Sequence, residues 1–163
     1  MQVQGRAQLW RLPTRLVTRL AHLWFLLARP LTLGVRGLVL DEVGRALLVK
    51  HGYVPGWHLP GGGVEVGETF EAALARELAE EANVVVEGSP ILHGLFHNRR
   101  VSRRDHVAVY VVRRFRVIGE RAPDREIVAA RFFALDALPP DTTRGTRSRL
   151  AEVVEGAPIS PQW

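Results

Sequence analysis

The sequence predicts an α/β domain with a mixed β-sheet over about residues 31–157. Two observations predict it. Short runs rich in β-branched residues alternate with turns that contain glycine and proline, and two other segments have the residue spacing and capping residues of helices. Strands interleaved with helices are typical of this fold class. Pro30 is the expected boundary between an N-terminal extension, residues 1–30, and the domain, residues 31–163.

Two helices and six strands are expected in this domain. Thr69–Ala82 is predicted to be helical because Thr69 is a suitable N-cap and alanine is frequent, and a last helix is expected at Thr143–Glu155. The turn residues of Asp41–Gly44 predict a hairpin between the first two strands. The predicted strands are Thr32–Leu40, Arg45–Lys50, a short strand around Trp57–Leu59, Ile91–His97, His106–Val117 and Ile127–Phe133.

The N-terminal extension is predicted to be a basic amphipathic helix, because leucines recur in it at steps of three and four residues. Residues 1–40 hold six of the 22 Lys and Arg residues and none of the 17 acidic residues, so the net charge of +5 belongs to this end of the chain. The apolar stripe must be covered by the domain, by a second copy of the chain or by a membrane surface. A homodimer through this helix and peripheral membrane contact are therefore both open.

The composition excludes several classes of site. A chain of 163 residues, 47% of them hydrophobic, is large enough for one domain with its own core. It contains no cysteine, which excludes disulfides, thiolate zinc sites and a cysteine nucleophile. No stretch reaches the roughly 20 apolar residues that a membrane-spanning helix needs. A cytoplasmic location is therefore expected, with a membrane-peripheral one as the alternative.

Three glutamates lie close together on the predicted helix Thr69–Ala82. At about 100° per residue, Glu81 lies roughly 40° and Glu80 roughly 60° from Glu77, in continuation of an apolar stripe. Like charges four residues apart destabilise a helix, and more so where water is partly excluded. A magnesium ion would remove this cost, because Mg²⁺ prefers a few carboxylate oxygens, waters and substrate phosphates. The alternative is a solvated acidic patch paired with Arg76.

The residues before this helix complete a motif of fixed spacing. Gly61–Gly63 allow the backbone to approach the helix closely. Read from Gly62, the pattern is glycine, five residues, Glu68, seven residues and then Arg76-Glu77-Leu78-Ala79-Glu80-Glu81-Ala82-Asn83-Val84. Residues 62–84 thus resemble the Nudix box, the signature of the Nudix hydrolase family, at every fixed position except Asn83. The family usually has glycine there, and asparagine is the next-best residue for the left-handed conformation that ends a helix.

The resemblance implies a Nudix-type α/β/α sandwich with a mixed sheet. It also implies an enzyme that hydrolyses a diphosphate bond in a nucleotide-like substrate with Mg²⁺, for which Mn²⁺ is a possible substitute. By position, Glu77, Glu80 and Glu81 would be the metal ligands. Arg76 would support them, through a bond to Glu68.

In such an enzyme, metal-bound water attacks phosphorus and a carboxylate accepts the water's proton. Relatives take this base either from the box or from a distant loop. Glu80 is therefore the first candidate for the base, and Glu126, just before the strand Ile127–Phe133, is the second. With Glu81, these residues form the expected catalytic set.

Other side chains are candidates for substrate binding beside Gly62. Arg99 and Arg100, in the arginine-rich loop 98–104, are predicted to bind phosphates, with a solvated hairpin tip as the alternative. Trp57 is a candidate for stacking on a base, with core packing as the alternative.

The resemblance leaves the substrate open. Relatives acting on ADP-ribose tend to have proline at the position of Arg99, and those acting on dinucleoside polyphosphates tend to have tyrosine near Val101; neither is present here. A nucleoside triphosphate or a nucleoside diphosphate-linked compound is therefore expected. The alternatives are a catalytically silent, nucleotide-binding Nudix regulator, which usually lacks glutamates of the box, and an RNA 5′-end pyrophosphohydrolase, which fits the arginine loop and basic N-terminal segment.

Overall fold

Eight strands and two α-helices occur in residues 30–163, which, with Arg19 and Trp24, are the part of the chain described by the computed structural model. The strands are β1 (Thr32–Val39), β2 (Ala46–His51), β3 (Trp57–His58), β4 (Val84–Val86), β5 (Ile91–His97), β6 (Asp105–Val112), β7 (Phe115–Val117) and β8 (Ile127–Phe133). The helices are α1 (Phe70–Ala82) and α2 (Arg144–Leu150), with a 3₁₀ turn at Leu135–Ala137 and a π-helical turn at Ala151–Glu155.

The predicted N-terminal amphipathic helix, with its dimer or membrane contacts, lies outside the described residues. The compact unit that they form begins at Thr32. Within the described part, no helix has the length and apolar character needed to span a bilayer.

The strands form a mixed sheet and two antiparallel sheets. In the first sheet, β1 pairs with β6 in parallel and β6 pairs with β5 antiparallel. In the second, β2 lies between β3 and β8, and a two-stranded pair joins β4 to β7. The mixed pairing that the sequence predicts is present.

The side chains of the central strands point alternately to the two faces of the sheet, and apolar side chains form a core layer on each face. Val35 and Val39 of β1 pack with α1 residues such as Leu74 in one core cluster. Leu38 of β1 packs with Leu150 of α2 in the other. Successive side chains of a strand point to opposite faces, so β1 and its neighbours lie between the two helices. This is the predicted α/β/α sandwich.

The turn predicted at Asp41–Gly44 is present, with the N–H of Gly44 donating to the carbonyl of Asp41 at 3.0 Å. The predicted hairpin pairing of β1 with β2 is wrong, because it is limited to one antiparallel bridge between Leu40 and Ala46. The free edge of β1 is occupied by the glycine-rich loop instead: the N–H of Val35 donates to the carbonyl of Gly62 at 2.9 Å, and the N–H of Gly37 donates to that of Pro60 at 2.8 Å. With β6 on its other edge, β1 has no edge left for β2.

The ends of α1 are as the sequence predicts. The Thr69 side chain accepts from the N–H of Ala72 at 3.2 Å. Asn83 ends the helix in the left-handed conformation, at φ 52° and ψ 36°. The predicted strand His106–Val117 is divided into β6 and β7, and the short strand Val84–Val86, paired with β7, was missed.

Candidate active site

The glycine-rich loop brings its backbone directly against β1 and α1. Gly61 has φ +136°, and a Cβ there would overlap the carbonyl oxygen of Val35 and lie 2.9 Å from the Cα of Arg36. At Gly62, a Cβ would lie 2.6 Å from the carboxylate carbon of Glu77. Position 61 therefore needs glycine for its backbone conformation and its close approach to β1, whereas a side chain at position 62 would require the Glu77 carboxylate to move.

Glu81 is a buried carboxylate held by this loop. Its Oε2 accepts a hydrogen bond of 2.7 Å from the N–H of Gly61. Burial raises the pKa of Glu81 to about 7, and the negative charges of Glu77 and Glu126 act in the same direction. The Gly61 N–H and the Arg36 guanidinium oppose that rise without cancelling it. Glu81 is thus a carboxylate whose negative charge is poorly compensated by the residues around it.

Arg76 connects the carboxylates of two elements. Its Nε and NH2 each donate to one oxygen of Glu68, both at 3.1 Å. Its NH1 donates to Oε1 of Glu77 at 2.7 Å, and its NH2 also donates to the carbonyl of Gly63 at 3.1 Å. The bond to Glu68 expected from the sequence is therefore present, and the same guanidinium fixes Glu77 and the glycine-rich loop.

Glu77, Glu81 and Glu126 line one cavity of about 310 Å³, which we call the carboxylate cavity. Gly62 and Arg36 also line it. The helix supplies two of the carboxylates, and the segment before β8 supplies the third.

Glu80 lies outside the carboxylate cavity. Its side chain is 62% exposed, and one carboxylate oxygen stands 3.5 Å from NH1 of Arg76. The helical spacing put all three box glutamates on a common face, but in the structure the loop covers only the part of the face that carries Glu77 and Glu81. Of the two candidates for the base, Glu126 is the one that lines the cavity.

Hydrogen bonds fix the backbone at Glu126. Oδ1 of Asp124 accepts from the N–H of Glu126 at 2.8 Å and from that of Ile127 at 2.7 Å. Arg121 pairs with the other Asp124 oxygen at 2.6 Å and donates from Nε to the backbone carbonyl of Glu80 at 2.8 Å. The segment that carries Glu126 is thereby attached to the end of α1.

Asn83 makes a second attachment between the same two segments. Its Nδ2 donates to the carbonyl of Glu120 at 3.2 Å and to that of Gly119 at 3.4 Å. A glycine at this position would permit the same backbone conformation but would have no side chain to form these bonds. Asparagine in place of the family's usual glycine therefore adds hydrogen bonds between the end of α1 and residues 119–120.

Arg36 is a residue of the cavity that the sequence analysis did not single out. It is partly buried on β1, and its guanidinium donates to the carbonyl of Leu59 at 3.1 Å and to that of Gly61. Burial lowers its pKa, against the opposing effect of the negative charges of Glu81 and Glu77. An arginine inside an otherwise apolar strand was the signal that would have identified it.

His51 is a second residue that was missed. It lines the carboxylate cavity, and its Nε2 lies 3.7 Å from Oε1 of Glu81. Burial, aided by the positive charge of Arg36, lowers the pKa of His51 to about 4. His51 is consequently neutral near pH 7 and does not compensate the charge of Glu81.

A larger cleft of about 520 Å³ adjoins the carboxylate cavity, and we call it the main cleft. The two share five lining residues, namely Arg36, Val54, His58, Gly62 and Gly63. Arg100 lines the main cleft, whereas Arg99 lines a third cavity beside it. This volume is in the range of small-molecule sites.

Trp57 lies in the core and lines neither the main cleft nor the carboxylate cavity. Only 8% of its surface is exposed, and its ring meets that of Phe133 edge to face at a centroid distance of 4.8 Å. The expected stacking of Trp57 on a substrate base is not available, because its side chain points from β3 into the core of the sandwich.

The donor set of the carboxylate cavity fits magnesium or manganese. In the described part of the chain, no three His, Asp or Glu side chains are grouped so as to hold a metal ion on their own. Mg²⁺ does not require such a group, since it usually keeps several waters and takes one or two carboxylates together with substrate phosphates. Glu77 and the poorly compensated Glu81 offer hard carboxylate oxygens of the kind that it prefers.

Comparisons with known proteins identify the family of the chain. The NUDIX domain family matches residues 30–153. The chain is 32% identical over 104 residues to an ADP-ribose pyrophosphatase of Methanocaldococcus jannaschii, covering 62% of this chain and 61% of that protein. It is 39% identical over 67 residues to a MutT-like protein of Streptomyces ambofaciens, covering 41% and 43%. The matches thus span less than two thirds of the length of these curated relatives.

Solved structures share the fold as well. A MutT NUDIX hydrolase from Burkholderia pseudomallei superposes with a TM-score of 0.66 at 30% identity, over 77% of this chain and 99% of that one. An ADP-ribose pyrophosphatase from Streptococcus suis superposes with a TM-score of 0.62 at 26% identity, over 80% and 97%. With the family match over residues 30–153, these likenesses show that the chain belongs to the Nudix hydrolase family.

Proposed function

We propose that this protein hydrolyses a diphosphate bond in a nucleoside triphosphate or a nucleoside diphosphate-linked compound, with Mg²⁺ as the metal and Mn²⁺ as a substitute. Nudix hydrolases generally use divalent metals. The observation that carries the proposal is the group of three carboxylates, Glu77, Glu81 and Glu126, around one cavity beside the glycine-rich loop. An ADP-ribose pyrophosphatase among the relatives is consistent with a diphosphate-linked substrate.

The metal would be held by Glu77 and Glu81, with Glu80 at the rim of the same helix face. When bound, it would neutralise charge on the diphosphate and lower the pKa of a water molecule. The main cleft would hold the nucleoside, and Arg36 would offset negative charge at the junction of the two cavities. Glu126, the carboxylate that reaches the cavity from a different segment, would accept the proton of the attacking water.

A substrate screen tests the proposal directly. Nucleoside triphosphates, ADP-ribose and nucleotide sugars are incubated with Mg²⁺ or Mn²⁺, and the products are identified so that the broken bond is located. We expect cleavage between two phosphorus atoms that stops when the metal is chelated. Nucleotide binding without any product would support the silent regulator instead.

Substitution of Glu126 is expected to affect catalysis more than substitution of Glu80. We expect Glu126→Gln to lower kcat by about 100-fold or more, because a general base contributes about 10²–10⁴-fold. Glu80→Gln is the matched control on an exposed side chain, and we expect it to lower kcat much less than Glu126→Gln does. Steady-state kinetics at saturating Mg²⁺ would measure both values of kcat. A larger loss in Glu80→Gln than in Glu126→Gln would identify Glu80, in the Nudix box, as the base.

Gly62→Ala is expected to weaken metal binding. The added methyl group would displace the Glu77 carboxylate, whose carbon lies 2.6 Å from the Cβ position. Since displacement of a ligand or of its support typically costs about 10–100-fold in metal affinity or activity, we expect a loss of this size in Mg²⁺ affinity measured by calorimetry. At Gly63 a Cβ meets no atom within 4 Å, so Gly63→Ala should keep Mg²⁺ affinity near that of the wild type; equal losses in both variants would contradict the assignment of Glu77.

A further inference from the structure

A third cavity, which we call the arginine pocket, adjoins the main cleft and has a volume of about 290 Å³. Four arginines line it, and none of its lining residues is acidic. Two of the four come from the loop between β5 and β6, and the other two come from α2. The arginines are Arg99, Arg100, Arg144 and Arg149.

Three of these arginines carry uncompensated charge. Arg99, Arg100 and Arg144 are exposed, and among the described residues their guanidinium groups make no ion pair or hydrogen bond. Three positive groups around one pocket repel each other, and an anion bound among them would remove that cost. Guanidinium groups match phosphate oxygens in both charge and hydrogen-bond geometry.

Arg149 forms the floor of the pocket. It is fully buried, pairs with Glu152 at 2.5 Å and stacks over Phe96, with its Cζ 3.7 Å from the ring centroid. Its NH1 also donates to the carbonyl of Gln162 at 3.2 Å. Its Nε, however, is buried without a hydrogen-bond partner. Arg149 therefore lines the pocket as a buried cation paired with Glu152, and contacts with a ligand fall to the three exposed arginines.

The arginine pocket is continuous with the candidate active site. It shares Arg100, Arg144 and Trp163 with the main cleft, and the main cleft in turn shares residues with the carboxylate cavity. The ring of Trp163 lies against the backbone of α2, where a Cβ on Gly145 would stand 2.8 Å from its Cε2. The main cleft therefore borders the carboxylate cavity through one set of residues and the arginine pocket through another.

We infer that the arginine pocket binds a second phosphate group of the substrate, at the end remote from the diphosphate. This inference rests on the proposed function. A diphosphate held at the carboxylate cavity leaves a nucleoside in the main cleft and a further anionic group at the arginines. The substrate class is thus a nucleotide with a diphosphate at one end and a phosphate at the other. That phosphate is either a monoester on the ribose or the internucleotide phosphate of an oligonucleotide.

Binding of three nucleotides without a diphosphate bond tests the inference independently of turnover. Adenosine 5′-monophosphate, adenosine 3′,5′-bisphosphate and the 5′-phosphorylated dinucleotide of adenosine are titrated into the full chain with Mg²⁺ by calorimetry. Because hydrogen bonds to charged groups are among the stronger ones, we expect at least one of the two larger ligands to bind about tenfold or more tightly than the monophosphate. If the bisphosphate binds more tightly, the second phosphate is a monoester on the ribose; if the dinucleotide does, it is an internucleotide phosphate.

Variants locate the effect. In the double variant Arg99→Ala/Arg144→Ala we expect the gain to be lost while the affinity for the monophosphate is kept. Arg103→Ala is the matched control, because Arg103 is an exposed arginine of the same loop that lines none of the three cavities. Equal affinity of the wild type for all three ligands, or a gain that survives in the double variant, would overturn the inference. Phosphate binding with no hydrolysis in the substrate screen would instead reject the proposed function alone.

Discussion

Glu81→Gln is expected to abolish metal-dependent hydrolysis and, at the same time, to stabilise the metal-free protein. The substitution removes a proposed metal ligand but keeps an oxygen that accepts the 2.7 Å bond from the Gly61 N–H. It also removes a negative charge that is buried near those of Glu77 and Glu126. Although the negative charge of Glu81 lowers the stability of the protein without metal, the wild type would keep it because a metal ion requires a charged ligand there.

The stabilisation should depend on pH. The pKa of Glu81 rises from 4.5 to about 7 in the folded protein, so the folded state binds a proton that the unfolded state has lost between these values. The wild type therefore loses stability relative to Glu81→Gln as the pH rises from about 4.5 to about 7. Above pH 7 we expect the variant to unfold with a free energy about 1–3 kcal/mol higher.

Thermal or urea unfolding in the presence of a chelator, at pH 5 and at pH 8, measures this difference. Glu80→Gln is the matched control, since its carboxylate is one residue away on α1 and mostly exposed. A Glu81→Gln protein that is no more stable than the control at pH 8, or that retains turnover, would refute the role given to Glu81. Added Mg²⁺ should stabilise the wild type and leave the variant unchanged.

Arg76→Ala is expected to lower both kcat/KM and Mg²⁺ affinity by about 10–100-fold. Without the guanidinium, Glu68 and Glu77 lose their common partner and the carbonyl of Gly63 loses a donor. Arg76→Lys should restore only part of the loss, because an ammonium group is a point charge and does not offer the planar array of donors that reaches three acceptors.

Arg45→Ala is the control for this prediction. Arg45 also forms an ion pair with a carboxylate, 2.7 Å from Asp41, but it lies away from the carboxylate cavity. Steady-state kinetics and metal titration should therefore be unchanged in Arg45→Ala. If Arg76→Ala lowers thermal stability while kcat/KM and Mg²⁺ affinity stay at their wild-type values, Arg76 supports the fold and not the carboxylates.

The local parts of the site could be predicted from the sequence. The bond between Arg76 and Glu68 was expected from the resemblance to the Nudix box. The N-cap at Thr69 and the left-handed end at Asn83 depend on the residue types at the two ends of one helix. The prediction of a β1–β2 hairpin failed for the opposite reason. The edge of β1 is taken by the loop at Pro60 and Gly62, and turn residues alone do not indicate that competition.

The remaining parts of the site depend on tertiary contacts. Helical spacing groups Glu80 with Glu77, but only the packed loop decides which carboxylates face the cavity. Likewise, Arg144 is remote in sequence from Arg99 and Arg100, and it joins them only because α2 packs beside the loop between β5 and β6. No periodic pattern in the sequence connects such residues.

The amide of Asn83 has a consequence for the cost of ligand binding. With Arg121, it fastens the stretch leading to Glu126 onto the C-terminal turn of α1. The carboxylates of two segments that are distant in sequence are thereby held in fixed relative positions before a metal ion binds. Immobilising a flexible side chain or loop on association opposes affinity, and here much of that entropy has already been lost during folding.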